Sequence, residues 1–202
     1  MAELTPMMKQ YFEVKNKYKN HILFYRLGDF YEMFFDDAII ASRELELTLT
    51  GRDCGLEERA PMCGVPHHAC DVYLKKLIEK GYNVAICEQT MDPAMCKGIV
   101  PREVIRVVTP GTLIESSMLD ETSNNYICAF YMRAKESALC LADISTGEVH
   151  LFEFEGKEMT SSAINELSRF SPAEILINDA FLSNKELSSF IREKLKTSVQ
   201  LL

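Results

Sequence analysis

Apolar positions recur at helical spacing near the start of the chain, where Met8, Tyr11, Phe12 and Tyr18 predict a helix from Thr5 to about Asn20. Thr5 is placed to cap it, and Pro6 takes the first helical position, where a missing N–H is harmless. The period then shortens. His21–Leu27 and Phe30–Phe35 are aromatic-rich runs separated by the turn signal Gly28-Asp29, and both are predicted strands. Asp36 and Asp37 open a predicted helix through Leu45, with their carboxylates at its positive end. Gly51–Arg59 reads as a charged loop and Ala60–Pro66 as an apolar one. His67–Lys80 carries Val72, Leu74, Leu77 and Ile78 on helical spacing, with Gly81 as the C-terminal stop. Strands are predicted at Asn83–Cys87 and Val104–Val108. Strands mixed with helices make residues 1–112 an α/β domain with a mixed sheet.

Leu113–Asn125 is polar and turn-rich, and is read as a linker to a second domain over residues 126–202. Strands are predicted at Tyr126–Met132, Ala138–Ile144 and Val149–Phe154, the last two joined by the hairpin signal Ser145-Thr146-Gly147. A helix at Glu158–Arg169, a strand at Glu174–Ile177 and a helix at Asn184–Lys196 follow. This order resembles the beginning of a ribonuclease-H-like α/β domain. Leu202 arrives before the further strand and helix such a sheet carries, so the domain is expected to be truncated.

Composition narrows the function classes. Hydrophobic residues at 47% and charged ones at 26% suit a packed globule and exclude wholesale disorder. The net charge of −8 argues against a basic nucleic-acid coat. Residues 1–115 carry 14 Lys+Arg against 17 Asp+Glu, and residues 116–202 carry 8 against 13, so any nucleic-acid role rests on a local feature. No apolar run approaches the roughly 18–20 residues of a membrane span. The first residues lack the basic head and apolar stretch of a secretory signal. Seven scattered cysteines then point to free thiols in a reducing cytoplasm.

The run from Phe24 to Phe35 carries the most chemistry. Side chains alternate along a strand, so Phe30 and Glu32 share one face while Tyr31 points to the other, toward the core. Two readings of that pattern stand. One is a core strand with a single surface acid. The other is a wedge: an aromatic ring that enters the minor groove and stacks where base stacking is already weak, beside an acid that phosphates repel but a displaced base edge can engage.

Gly28-Asp29-Phe30-Tyr31-Glu32 closely resembles the mismatch-binding motif of the bacterial MutS family of DNA mismatch repair proteins. Similar stretches run in order along the chain: Leu23–Arg26, Pro61-Met62, Gly64–Ala69, Val84–Gln89, Asp92-Pro93, Val107–Thr112, Leu141–Gly147 and Ser171–Glu174. The resemblance implies a mismatch-recognition domain followed by part of a ribonuclease-H-like connector. It implies that Phe30 stacks on the mispaired base and Glu32 hydrogen-bonds it, with Gly28 and Asp29 as the presenting turn. Met62, Arg52, Lys97, Arg102 and Arg106 are secondary candidates, the basic ones for phosphates. The implied partners are mismatched duplex DNA and MutL, the latter through the connector. The longer family member is expected to be a homodimer at the bacterial nucleoid, and this fragment a monomer. ATP and magnesium belong to a region outside these residues. No Gly-x-x-x-x-Gly-Lys-[Ser/Thr] occurs here; Met95-Cys96-Lys97-Gly98 lacks both the glycine loop and the hydroxyl.

Two rival chemistries have candidate residues in the sequence. Cys54, Cys63, His67, His68 and Cys70 are close in sequence but lack zinc-knuckle spacing, so no metal is expected. Asp143, with Glu148 nearby, occupies a place where a ribonuclease-H-like enzyme carries a metal-binding acid, but a two-metal site needs more converging acids. Asp143 is expected to stabilise its turn. No catalytic residue is assigned, and the expected function is binding.

Overall fold

Thr5 and Pro6 begin the first helix as expected: in the computed structural model, which describes residues 3–96, 98–195 and 197–202, the Thr5 hydroxyl accepts from Met8 N at 3.4 Å. This helix, α1 (Pro6–Lys15), stops short of Asn20. Lys17 N and Tyr18 N bond back three residues, tightening the turn, and the Lys15 ammonium donates to His21 O at 2.6 Å, folding the chain back. Strands β1 (Ile22–Leu27) and β2 (Phe30–Phe34) form a hairpin with Leu27 opposite Phe30. Helix α2 (Phe35–Leu45) follows. The two segments read as loops contain strands β3 (Thr50–Arg52) and β4 (Ala60–Pro66). Prolines at positions 61 and 66 and Gly64 disguise β4, which pairing with β2 along its length makes a strand. A 3-10 turn at His67–Ala69 leads into α3 (Cys70–Glu79), and β5 (Val84–Gln89) and β6 (Arg102–Val108) complete the sheet.

The strand order is β3-β4-β2-β1-β5-β6, with β1 and β5 parallel and the other pairs antiparallel. One face packs Leu23, Tyr25, Phe34, Ala85 and Cys87 against Met8 and Tyr11 of α1. The other buries Phe24, Tyr31, Met33, Cys63 and Val65 on the side of α2 and α3.

The chain divides between Val108 and Thr109 into two units, ahead of the boundary placed at 112. The reason is a buried acid in the second unit. Glu174, 2% exposed, accepts from the Thr109 hydroxyl and from Gly111 N at 3.0 Å, while Gln200 Nε2 donates to its other oxygen at 2.6 Å. Gly111 fits because a Cβ there would lie 2.9 Å from the Cβ atoms of both Glu174 and Ile127. The expected linker is also tied in: Asn125 Nδ2 donates to Pro110 O at 2.9 Å, and Met118 is buried.

The second unit contains β7 (Tyr126–Met132), β8 (Glu136–Asp143), β9 (Glu148–Glu155), α4 (Met159–Phe170), β10 (Glu174–Ile177), α5 (Asp179–Leu182), α6 (Lys185–Phe190) and β11 (Ser198–Leu201). The sheet order is β11-β10-β7-β8-β9, with β10 parallel to both neighbours. The fifth strand corrects the expectation that the chain ends before it. Asn184 caps α6 through Leu187 N at 3.1 Å, and a π-helical turn at Ile191–Leu195 replaces the rest of the predicted helix. Ala163, Leu167, Phe181, Leu187 and Ile191 cover one sheet face, over Cys128, Phe130, Leu139, Leu141, Ile175 and Ile177.

Candidate nucleic-acid interface

One face of β2 runs from interior to solvent within five residues. Phe34 is 0% exposed beneath α1, Glu32 is half-buried, and Phe30 is 47% exposed. Register fixes their surroundings: Phe34 lies opposite Met62, Glu32 between Tyr25 and Gly64, and Phe30 between Leu27 and Pro66. An exposed ring thus shares a face with an acid, as alternation predicts. Tyr31 points the other way and is buried, its ring 5.8 Å from Phe24 and 5.4 Å from His67. Its hydroxyl donates to the Glu88 carboxylate.

The turn that presents Phe30 is held at both of its carbonyls. Gly28 has φ +58°, the left-handed region glycine tolerates. Arg26 Nε donates to Gly28 O at 2.5 Å, and His67 N donates to Asp29 O at 2.8 Å. Beneath them lies Arg102, and here the phosphate-contact expectation is corrected. Arg102 is 9% exposed, donates to Arg26 O at 2.7 Å, Gln10 Oε1 at 3.0 Å and Val100 O at 2.9 Å, and stacks 5.0 Å from the Tyr25 ring. Its donors face the protein, so its role is to brace the hairpin. Burial pushes the Tyr25 phenol up to about 12, keeping it a donor to Gln10 Oε1 at 2.6 Å. Gln10, His67 and Glu88, supports that the sequence reading did not single out, come from distant parts of the chain, and no local signal joins them to Tyr25 and Arg26 of the hairpin.

The secondary candidates separate. Arg52, on β3, forms an ion pair with Glu32. Met62 is half-buried beside Phe34, and its carbonyl accepts from the Thr50 hydroxyl at 3.1 Å. Arg106 is in register with Ile86, which points away from the Phe30 face. Lys97 lies outside the described residues.

Residues 5–117 match the family description MutS domain I, and residues 125–201 match MutS domain II. The chain belongs to the MutS family. It is 53% identical over 96% of its length to a DNA mismatch repair protein MutS of Acetivibrio thermocellus, and 52% identical over 98% to that of Ruminiclostridium cellulolyticum. A third MutS, from Caldicellulosiruptor bescii, is 52% identical over the whole chain. The chain spans 22–23% of the length of these relatives, and within the MutS family it corresponds to the regions numbered I and II. Among the described residues no helix is long and apolar enough to cross a membrane.

The rival sites have local structural explanations. Cys54 packs in the core beneath α1, whereas Cys63 is buried on the opposite face, opposite Met33, where desolvation pushes its thiol up to about 11. Among the described residues no group of three or more His, Cys, Asp or Glu is disposed to hold a metal. Asp143, 1% exposed, accepts from Ser145 N at 2.9 Å, Ser145 Oγ at 2.6 Å and Asn125 N at 3.1 Å. Burial pushes its carboxyl up, but these hydrogen bonds outweigh that and hold it below the usual value. Glu148 faces Tyr126 and His150, at 3.1 and 2.7 Å.

Proposed function

We propose that this chain reads mispaired or unpaired bases in duplex DNA, Phe30 entering from the minor groove and Glu32 hydrogen-bonding the displaced base. The observation that carries this reading is the 47% exposed ring of Phe30 on a braced hairpin, one side-chain repeat from a half-buried acid. Such a ring loses little by leaving water for a stacked base, and inserting it demands less unstacking where pairing is already broken. Phosphate neutralisation supplies most non-specific affinity. With a net charge of −8, the 202 residues alone bind DNA weakly.

The test grafts these residues in place of the matching segment of the full-length A. thermocellus relative and titrates mismatched and paired duplexes by fluorescence anisotropy. Tighter binding of the mismatch, lost in Phe30→Ala, is the expected result. Equal discrimination with and without the ring sinks the reading.

A second reading assigns MutL docking to the second unit. It draws on the sheet face opposite the helices, where Tyr131, Val149 and Leu151 are 50%, 62% and 66% exposed. A MutL pull-down with the second unit's face altered at Val149 and Leu151 tests it; undiminished capture argues against that face.

A further inference from the structure

Among the described residues, Arg52 is the cation that meets Glu32. It reaches the carboxylate from β3, across β4, and both side chains stay partly open to water, at 38% and 16% exposure. Ala60, the register partner of Arg52, shares its face of β4 with Met62 and Gly64, so Arg52, Glu32 and Phe30 lie on one surface. At Gly64, opposite Glu32, β4 contributes no side chain; a Cβ there would stand 3.5 Å from Glu32 Cγ. The Glu32 side chain therefore leans over a position of β4 that has no side chain of its own, two residues along β2 from the exposed ring. A half-exposed ion pair forms in the absence of other partners yet is weak enough to exchange, and a guanidinium fork matches a phosphate as well as a carboxylate.

We propose that Arg52 is a specificity-determining residue that works through Glu32. Paired, it cancels the carboxylate's charge; drawn onto a backbone phosphate, it uncovers that carboxylate beside the wedge. An ionised carboxylate only accepts hydrogen bonds. A base displaced from its pair offers an N–H that has lost its acceptor, so the uncovered acid gains a partner. In intact duplex those donors are engaged, and the acid meets only the negative field of the phosphates. The exchange of partners is thus favourable at a mispair and unfavourable elsewhere. This inference rests on the reading of Phe30 and Glu32 given above.

A four-member cycle in the full-length graft tests it: wild type, Arg52→Met, Glu32→Gln and the double variant, each titrated with mismatched and paired duplex. Arg52→Met is expected to weaken paired-duplex binding roughly threefold more than mismatch binding, the range expected for coupled neighbours. In the Glu32→Gln background that difference disappears, leaving only the loss of a phosphate contact. Arg52→Lys, which keeps the charge on a different head, falls between. A loss of equal factor on both duplexes, whatever stands at 32, makes Arg52 a plain phosphate contact and overturns the proposal. So does no loss at all. Phe30→Ala distinguishes the levels: if it abolishes discrimination while the cycle is additive, only the exchange fails, and if it leaves discrimination intact the underlying reading fails.

Discussion

Glu32 and Asp143 each lie in a strand of a mixed sheet, yet their carboxylates are held in opposite ways. Asp143 is enclosed, and the donors on it come from its own turn and from Asn125. Glu32 is half-buried and meets the partly exposed head of an arginine. Hydrogen bonds from fixed backbone N–H groups leave an acid nothing to offer a ligand. A long side chain in partial contact with water can be displaced by one. The surroundings, rather than the residue type, separate a structural acid from the one proposed to sense a base.

The sharpest way to break this contrast is at Asp143. Asp143→Ala strips the acceptor from three backbone N–H groups and a hydroxyl and is expected to destabilise the second unit by about 2–3 kcal/mol, the cost of leaving buried partners unmade, with mismatch preference unchanged. Thermal melting together with DNA titration checks both halves; a loss of discrimination would give Asp143 a role at the DNA. Phe30→Ala acts in reverse. It removes about 1–3 kcal/mol of mismatch-selective binding, the usual worth of one stacked base, and leaves the melting temperature in place. Gly111→Ala forces a methyl into contact with Glu174 and Ile127 and is expected to destabilise the second unit by about 1–2 kcal/mol, read by denaturant unfolding. Glu32→Ala frees Arg52 for a backbone phosphate, tightening paired-duplex binding by about 1 kcal/mol or less.

The smallest effect is one of sign with pH. Asp143 has a folded value below its ordinary 3.8, so its stabilising contribution is complete above 3.8 and is lost as pH falls through the lower folded value. Asp37 in the first unit is the opposite. Burial raises it despite the Lys15 ammonium at 2.8 Å, so protonation on acidification relieves a penalty. Amide exchange resolved by unit, followed from pH 6 downward, should show these two acids pulling stability in opposite directions.

Much of the site was legible because it is local. Alternation placed Phe30 with Glu32 and sent Tyr31 to the core, and Gly28-Asp29 announced the turn. Exposure of the ring was not legible, since it depends on where α1 stops covering the sheet. Arg102 misled for the same reason: its acceptors Gln10 and Arg26 lie far away in sequence. β4 was hidden by its prolines and glycine, and β11 by being four residues long at the end of a predicted helix. That residues 109–112 pack with the second unit was not legible, because one carboxylate, that of Glu174, gathers a turn distant in sequence.

Both carbonyls of the Gly28-Asp29 turn are engaged before any ligand arrives. A loop so tethered has little wandering left to surrender on contact, so the entropic penalty of association falls mainly on the other molecule. Under the proposed function the protrusion acts as a stiff gauge: the softer the double helix pressed against it, the deeper it sinks.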